Sequence, residues 1–331
     1  MRARALTFVA PRLVDVEQVD VAAPKAGEVL VRTLYSGISP GTEMLAYRGE
    51  IDAAVPLDER IGALGGTFAF PFRYGYSCVG RVEDARGSLP LGSLVFAFHP
   101  HQDLLVIRES DLVPLPENEP RRATLFPSVE TALQISLDVG PVQSELVVVL
   151  GLGVIGTLAA ALLSRAGAEI VAVEPRPWRR AAAASFGIDP VTPDEAEDAV
   201  SRYSDGRGAA LLVEASGAPD ALAGGLRLLA HEGTALAASW YGNKVVALPL
   251  GGEFHRRRLT IRSTQVSTIP AHLSGRWSFE RRRKVALRLM RELPLERLAT
   301  HEFPFVDAAE AFDAIDRGSP GLVHAALRYD R

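Results

Sequence analysis

"ELVVVLGLGVIGTLAAALLSRAG", residues 145–167, is the stretch that decides the fold. Leu146–Leu150 form an unbroken apolar, mostly β-branched run, as a strand buried on both faces requires. From Val154 the apolar residues recur at helical spacing and stop at Gly167. Between them stand Gly151, Gly153 and Gly156 in G-x-G-x-x-G spacing, directly after a strand and directly before a helix. There the first glycine permits a tight turn and the second lets a diphosphate approach the backbone. The third lets helix and strand pack closely. The helix start at Val154 and Ile155 then presents unpaired N–H groups and a positive dipole end to an anion. The stretch predicts a dinucleotide site.

Downstream the same alternation continues. "EIVAVE" (169–174), "AALLVEA" (209–215) and "TALAAS" (234–239) read as strands; "WRRAAAASF" (178–186) and "PDALAGGLRLLA" (219–230) read as helices. Buried strands alternating with helices predict a parallel α/β sheet with right-handed crossovers. Glu174 closes the second strand, about twenty residues past the glycines, where an acid accepts hydrogen bonds from both ribose hydroxyls of a dinucleotide. A carboxylate there repels a 2′-phosphate, which favours NAD. Arg176, Arg179 and Arg180 follow at once; they either grip the 2′-phosphate of NADP, as guanidinium forks do, or face solvent along the helix.

Upstream, residues 5–113 read as short strands (Ala5–Val9, Leu13–Val19, Glu28–Tyr35, Cys78–Glu83, Ser93–Phe98, Leu104–Ile107) separated by turns such as "PKAG" and "SLPLG". They predict a twisted, mostly antiparallel β domain. "VPLPENEP" (113–120) is a proline-punctuated exit from it. Beyond "LTIRSTQV" (259–266) come a helix near 279–292 and a closing strand, "LVHAALRY" (322–329). This tail is too short to fold alone and is expected to rejoin the β domain. The expected division is 1–120, 121–268, and a return over 269–331.

Composition narrows the class. A chain of 331 residues with 47% hydrophobic and 23% charged residues has the profile of a two-domain globular protein. The net charge of −4 gives no general attraction for nucleic acid. The basic runs "HRRR" (255–258) and "RRRK" (281–284) read as solvated faces or salt-bridge partners. The one cysteine, Cys78, excludes an internal disulfide and fits a cytoplasmic setting. The N-terminus has no apolar core of a signal peptide, and glycines and charges interrupt the most apolar stretch, 145–173, so no membrane span is expected.

The succession of "SGISPGTE" (36–43), "GLGVIG" (151–156) and "VEASG" (213–217), with a tail returning to the first domain, resembles the medium-chain dehydrogenase/reductase superfamily of zinc-type alcohol dehydrogenases over essentially the full length. "VETALQ" (129–134), "SWYG" (239–242), "GGEFHRRRLTIRSTQV" (251–266) and "RWSFERRR" (276–283) are similar to the subgroup that includes bacteriochlorophyllide a dehydrogenase, whose reaction converts a hydroxyethyl to an acetyl group. The resemblance implies a Rossmann doubly wound domain plus a GroES-like, mostly antiparallel catalytic domain. It also implies a small-molecule substrate in the cleft between them, and a homodimer paired near "LTIRSTQV".

Zinc-dependent members of the superfamily hold their metal with a Cys in a "GxCGTD"-like loop, a His in a "GHE" motif, and a later Cys or Glu. Here those places carry Ser39, Tyr76 of "Gly75-Tyr76-Ser77", and the neighbourhood of Pro127 or Glu130. Hydroxyl and proline side chains are not zinc ligands, and the lobe with four cysteines is absent. His99 and His101, with Glu43, Glu50 and Asp103 nearby in sequence, are the substitutes considered; Pro100 between the histidines argues against them. No zinc is expected. Without it, donors must stabilise the charge that develops on oxygen. Tyr76 is the candidate donor, assisted by Ser39 and by Thr42, which matches the proton-relay position of relatives. Tyr76 filling the vacated metal cavity is the alternative, and Glu43 is expected to orient the loop. Glu130 is either an acid/base or a brace, and Thr131 resembles a residue that supports the nicotinamide face. Ser216 of "VEASG" belongs with the cofactor residues, and Trp240 and Tyr241 either wall a bulky substrate or pack. Three functions stay open: interconversion of a secondary alcohol and ketone on a bulky, pigment-like or secondary-metabolite substrate; NADPH-dependent reduction of a conjugated C=C bond or quinone; and nucleotide binding without turnover.

Overall fold

The computed structural model describes residues 1–85, 87–116 and 119–330, so Glu117 and Asn118 of the proline-punctuated exit lie outside the described residues. The chain packs as two units: Met1–Pro127 with Ala299–Arg331, and Ser128–Leu298.

The first unit begins with an antiparallel pair, β1 (Arg2–Ala10) and β2 (Leu13–Asp20). Strand β3 (Glu28–Ile38) runs into the turn Ser39–Gly41 and then helix α1 (Thr42–Arg48). After a long connection come β4 (Cys78–Ala85), β5 (Leu94–Ala97), β6 (Leu104–Arg108), β7 (Leu112–Pro114) and the short helix α2 (Pro120–Ala123). β3 pairs antiparallel with both β4 and β6, and β4 with β5. Val29, Val31, Val82, Val95 and Leu105 alternate inward from these strands into one buried cluster, the period-2 burial expected of a sheet with one covered face.

Helix α3 (Phe126–Val139) leads into the second unit, a parallel sheet of β8 (Leu146–Leu150), β9 (Glu169–Val173), β10 (Pro190–Val191), β11 (Ala209–Glu214), β12 (Leu229–Ala237) and β13 (Thr260–Ser263). The connecting helices are α4 (Val154–Arg165), α5 (Pro177–Ala184), α6 (Ala196–Ser204) and α7 (Pro219–Gly225); α8 (Phe279–Glu292) follows the sheet. The strand order β10-β9-β8-β11-β12-β13 reverses direction at β8, the topological switch point where ligands bind in such sheets. β8 is buried along its whole length.

The tail adds β14 (His301–Pro304), α9 (Ala308–Asp316) and β15 (Ala325–Arg328), with β15 antiparallel to β3. Ala308, Ala311, Phe312 and Ile315 turn one face of α9 into the first unit's core, where Phe312 meets Phe8 edge-on at 5.4 Å. The segment that joins the first unit starts at Ala299, not at 269. Residues 269–298 stay with the second unit because α8 is tied there: buried Arg282 donates to Gln134 Oε1 at 2.7 Å and to the Val266 carbonyl at 2.6 Å. The α/β class with one parallel and one mostly antiparallel sheet is as the sequence predicts. The basic runs are engaged: Arg257 pairs with Glu253, Arg258 with Glu232, and Lys284 with Glu280. Among the described residues no helix is long and apolar enough to cross a membrane.

Candidate active site

The nucleotide turn is built by steric exclusion. Gly151 sits at φ +87°, and a Cβ there would lie 2.6 Å from the Ser216 Cα. A Cβ on Gly156 would fall 1.8 Å from the Gly151 carbonyl oxygen. Gly153 differs: its nearest neighbour would be Arg179 Nη1 at 3.8 Å. Only the middle glycine therefore faces open space, which is where a diphosphate must come in. Gly153 is also the N-cap of α4 and offers no side-chain acceptor to the N–H groups of the first turn, beginning at Val154 and Ile155. This turn fits a dinucleotide.

Glu174 lies buried just past β9 and braces the turn. Its Oε2 accepts the Leu152 N–H at 2.8 Å and its Oε1 the Arg176 N–H at 3.0 Å. A carboxylate has about four acceptor positions, so capacity remains for ribose hydroxyls. Of the arginines that follow, Arg179 Nη1 lies 3.8 Å from Glu174 Oε2, and Arg180 Nη1 donates to the Glu174 and Pro175 carbonyls, both at 2.8 Å.

On the adjoining strand the sequence hides a residue that organises the loop. Glu214, fully buried at the tip of β11, accepts at Oε1 from the Ser216 N–H and hydroxyl and from the Gly217 N–H. Its Oε2 accepts the Tyr241 hydroxyl at 2.6 Å. Burial, then Glu214, pushes the Tyr241 phenol up. Of the two aromatic candidates for a substrate wall, Tyr241 is thus committed to Glu214, while Trp240 is 43% exposed. An acid at a strand tip followed by small residues, "VEASG", was the available signal. Glu130, on α3 beside Thr131, lies 3.5 Å from Arg282 Nε; burial raises its carboxyl and Arg282 opposes the rise.

In the first unit the turn after β3 gathers hydroxyls. The Ser39 and Thr42 side chains lie beside the Tyr76 phenol and favour its ionised form. Burial, then the Glu43 charge, pushes the Tyr76 phenol up to about 12. Glu43 Oε1 accepts the Ser39 N–H at 2.9 Å, and Oε2 faces His101 Nε2 at 2.7 Å. Gly75 adopts φ +115°, and a Cβ there would collide with the His101 ring at 2.6 Å; the backbone passes against the imidazole at that point. His99 instead bonds the Pro100 carbonyl through Nδ1 at 2.9 Å. The sequence gives no sign of a cleft of about 490 Å³ lined by Leu57, Gly66, Thr67, Arg73, His99 and Gln102.

These side chains do not fit a zinc ion. Ser39 and Tyr76 offer only hydroxyls, Glu130 is paired with Arg282, and Glu43 and His101 occupy each other. The Cys78 thiol points at the His99 and Pro100 carbonyls, 3.3 and 3.4 Å away, and burial raises it. Among the described residues no three His, Cys, Asp or Glu side chains group closely enough to hold a metal ion, whereas a catalytic zinc takes three such ligands.

Residues 154–279 match the family described as zinc-binding dehydrogenase. The chain is 26% identical to D-guloside 3-dehydrogenase of Escherichia coli (strain K12), over 84% of this chain and 85% of that one. It is 24% identical to 5-exo-hydroxycamphor dehydrogenase of Pseudomonas putida, over 96% of each chain. Its fold superposes on 2R,3R-butanediol dehydrogenase from Bacillus subtilis with a TM-score of 0.80 at 19% identity, covering 99% of this chain and 100% of that one.

Proposed function

We propose, for a chain that is a medium-chain, alcohol-dehydrogenase-like oxidoreductase using NAD(P), the zinc-independent interconversion of a secondary alcohol and its ketone. What supports the reading is the Tyr76 phenol with the Ser39 and Thr42 side chains beside it, in the motif position that the resemblance equates with a metal-ligating histidine. When bound, the nicotinamide supplies or accepts the hydride. The glycine turn and the first turn of α4 hold the diphosphate. Glu174 accepts the ribose hydroxyls, and its charge disfavours a 2′-phosphate. Arg179 and Arg180 lie against Glu174 itself, so NAD is the cofactor proposed.

In the reducing direction Tyr76 donates a hydrogen bond to the carbonyl oxygen and stabilises the charge that builds there. An alkoxide is more basic than a phenolate, so passing the proton on is downhill, and Ser39 and Thr42 then donate to the phenolate left behind. A phenol raised to about 12 holds its proton at neutral pH; it is built as a donor. Glu130 braces α3 through Arg282, and Trp240 is the remaining aromatic for the substrate. The guloside and hydroxycamphor in the relatives' names support a bulky hydroxylated substrate. β13 is the edge of its sheet and largely exposed, which supports a homodimer paired along it.

The test combines cofactor titration with turnover. NADH binds more tightly than NADPH by nicotinamide fluorescence. Tyr76→Phe loses roughly 10²-fold or more of kcat on a panel of secondary alcohols including gulosides, with NADH affinity unchanged. Wild-type turnover in Tyr76→Phe removes the phenol from the chemistry. Preference for NADPH with activity on enones turns the reading to C=C reduction, for which the same donor would serve a conjugated carbonyl.

A further inference from the structure

Of the three arginines that follow Glu174, Arg179 has donors left over. Arg180 Nη1 is committed to the Glu174 and Pro175 carbonyls. The Arg179 side chain is only 21% exposed, yet among the described residues its Nε is buried without a hydrogen-bond partner. Its Nη1 stands 3.8 Å from Glu174 Oε2, an ion pair too long for a hydrogen bond. A cation settles in a buried place when it is both paired and hydrogen-bonded; here the chain supplies the pair and leaves Nε unbonded. The same Nη1 is the nearest neighbour, again at 3.8 Å, of the Cβ position on Gly153. The guanidinium therefore borders the ribose acid on one side and the open face of the glycine turn on the other.

The two sides are not equal for an anion. A 2′-phosphate belongs at the ribose hydroxyls, where the Glu174 carboxylate stands against it. The Gly153 side offers the unpaired N–H groups that open the 12-residue helix α4 and its positive dipole end. Around Arg179 stand Glu174 and Arg176, so two positive charges meet one negative charge and the group as a whole attracts an anion. We infer that Arg179 binds the diphosphate of the dinucleotide, completing the glycine turn with a guanidinium fork, and does not read a 2′-phosphate. This rests on the reading of the turn as a dinucleotide site and is independent of how Tyr76 acts. Glu174 then has a second task beside accepting ribose hydroxyls: its charge holds the guanidinium near Gly153. The fork donates from two nitrogens to two phosphate oxygens at once, whereas an ammonium is a point charge.

The experiment is displacement of NADH from the full chain, followed by nicotinamide fluorescence, with three probes. These are adenosine, ADP, which carries the 5′-diphosphate, and 2′-AMP, which carries the 2′-phosphate alone. In wild type, ADP is expected to bind more tightly than adenosine, and 2′-AMP no more tightly. Arg179→Gln weakens ADP and NADH by roughly tenfold or more, with adenosine affinity and melting temperature unchanged; Arg179→Lys recovers part of the loss. ADP binding equally to Arg179→Gln and wild type overturns the inference. So does a variant that loses 2′-AMP as much as ADP, or one that loses adenosine as much as ADP, the mark of a structural role. If Arg179→Gln does not fold, Arg179→Lys decides: weaker ADP with adenosine unchanged supports the inference, and wild-type ADP affinity overturns it. Wild type that binds neither NADH nor NADPH removes the dinucleotide reading and this inference with it. NADH bound equally by wild type and Arg179→Gln removes this inference alone.

Discussion

Tyr76 holds its proton more tightly than an ordinary phenol, and the two directions of reaction feel this differently. Its value is pushed up to about 12 by burial and then by Glu43, against about 10 for a free tyrosine. With Tyr76 as the proposed donor, ketone reduction uses the protonated form, so its kcat is expected to stay flat from neutral pH upward and to fall only near that value. On the same proposal alcohol oxidation needs the phenolate, so its kcat is expected to climb about tenfold per pH unit over the same range. Initial rates in both directions against pH check the pair. A flat oxidation profile would mean that another group takes the proton.

At the scale of elements, the β8–α4 turn separates two kinds of glycine. Gly156→Ala drives a methyl into the Gly151 carbonyl, with 1.8 Å between them, and is expected to lower the melting temperature and abolish NADH binding together. Gly153→Ala meets nothing nearer than Arg179 Nη1 at 3.8 Å, so the fold should keep its melting temperature while NADH affinity drops, because the methyl stands where the diphosphate comes in. Thermal unfolding beside fluorescence titration reads both; equal losses in the two variants would contradict the division of labour. This element was legible from sequence because its spacing is local: strand, glycines, helix and Glu174 all lie within about thirty residues. Tyr76, Ser39 and Thr42 are singled out by motif position alone. The Glu43–His101 pair joins residues 58 apart, and Glu214–Tyr241 joins residues 27 apart. No periodicity announces such contacts. That residues 269–298 join the second unit was not legible for the same reason, since a buried Arg282 reads in sequence as one more cation in a basic run.

For the whole molecule, buried neutral histidines set the response to acid. His324, 4% exposed, is held down to about 4 by burial and then by Arg121; His99 is likewise held to about 4, chiefly by burial. Below the ordinary value of about 6.5 the unfolded chain takes up protons that the folded chain refuses, so stability falls as pH drops from there to about 4. Each group contributes a slope of up to about 1.4 kcal/mol per pH unit. Urea midpoints between those limits should decline, and His324→Gln should flatten the decline. A constant wild-type midpoint would contradict the burial of these rings as neutral species.

In the proposed function Tyr76, rather than a zinc ion, stabilises the charge on the substrate oxygen. Elemental analysis of zinc per protein chain, on the purified fraction that turns over alcohol with NAD, tests this most directly. Zinc far below one atom per chain at full activity is the predicted result; stoichiometric zinc that tracks with activity would contradict it.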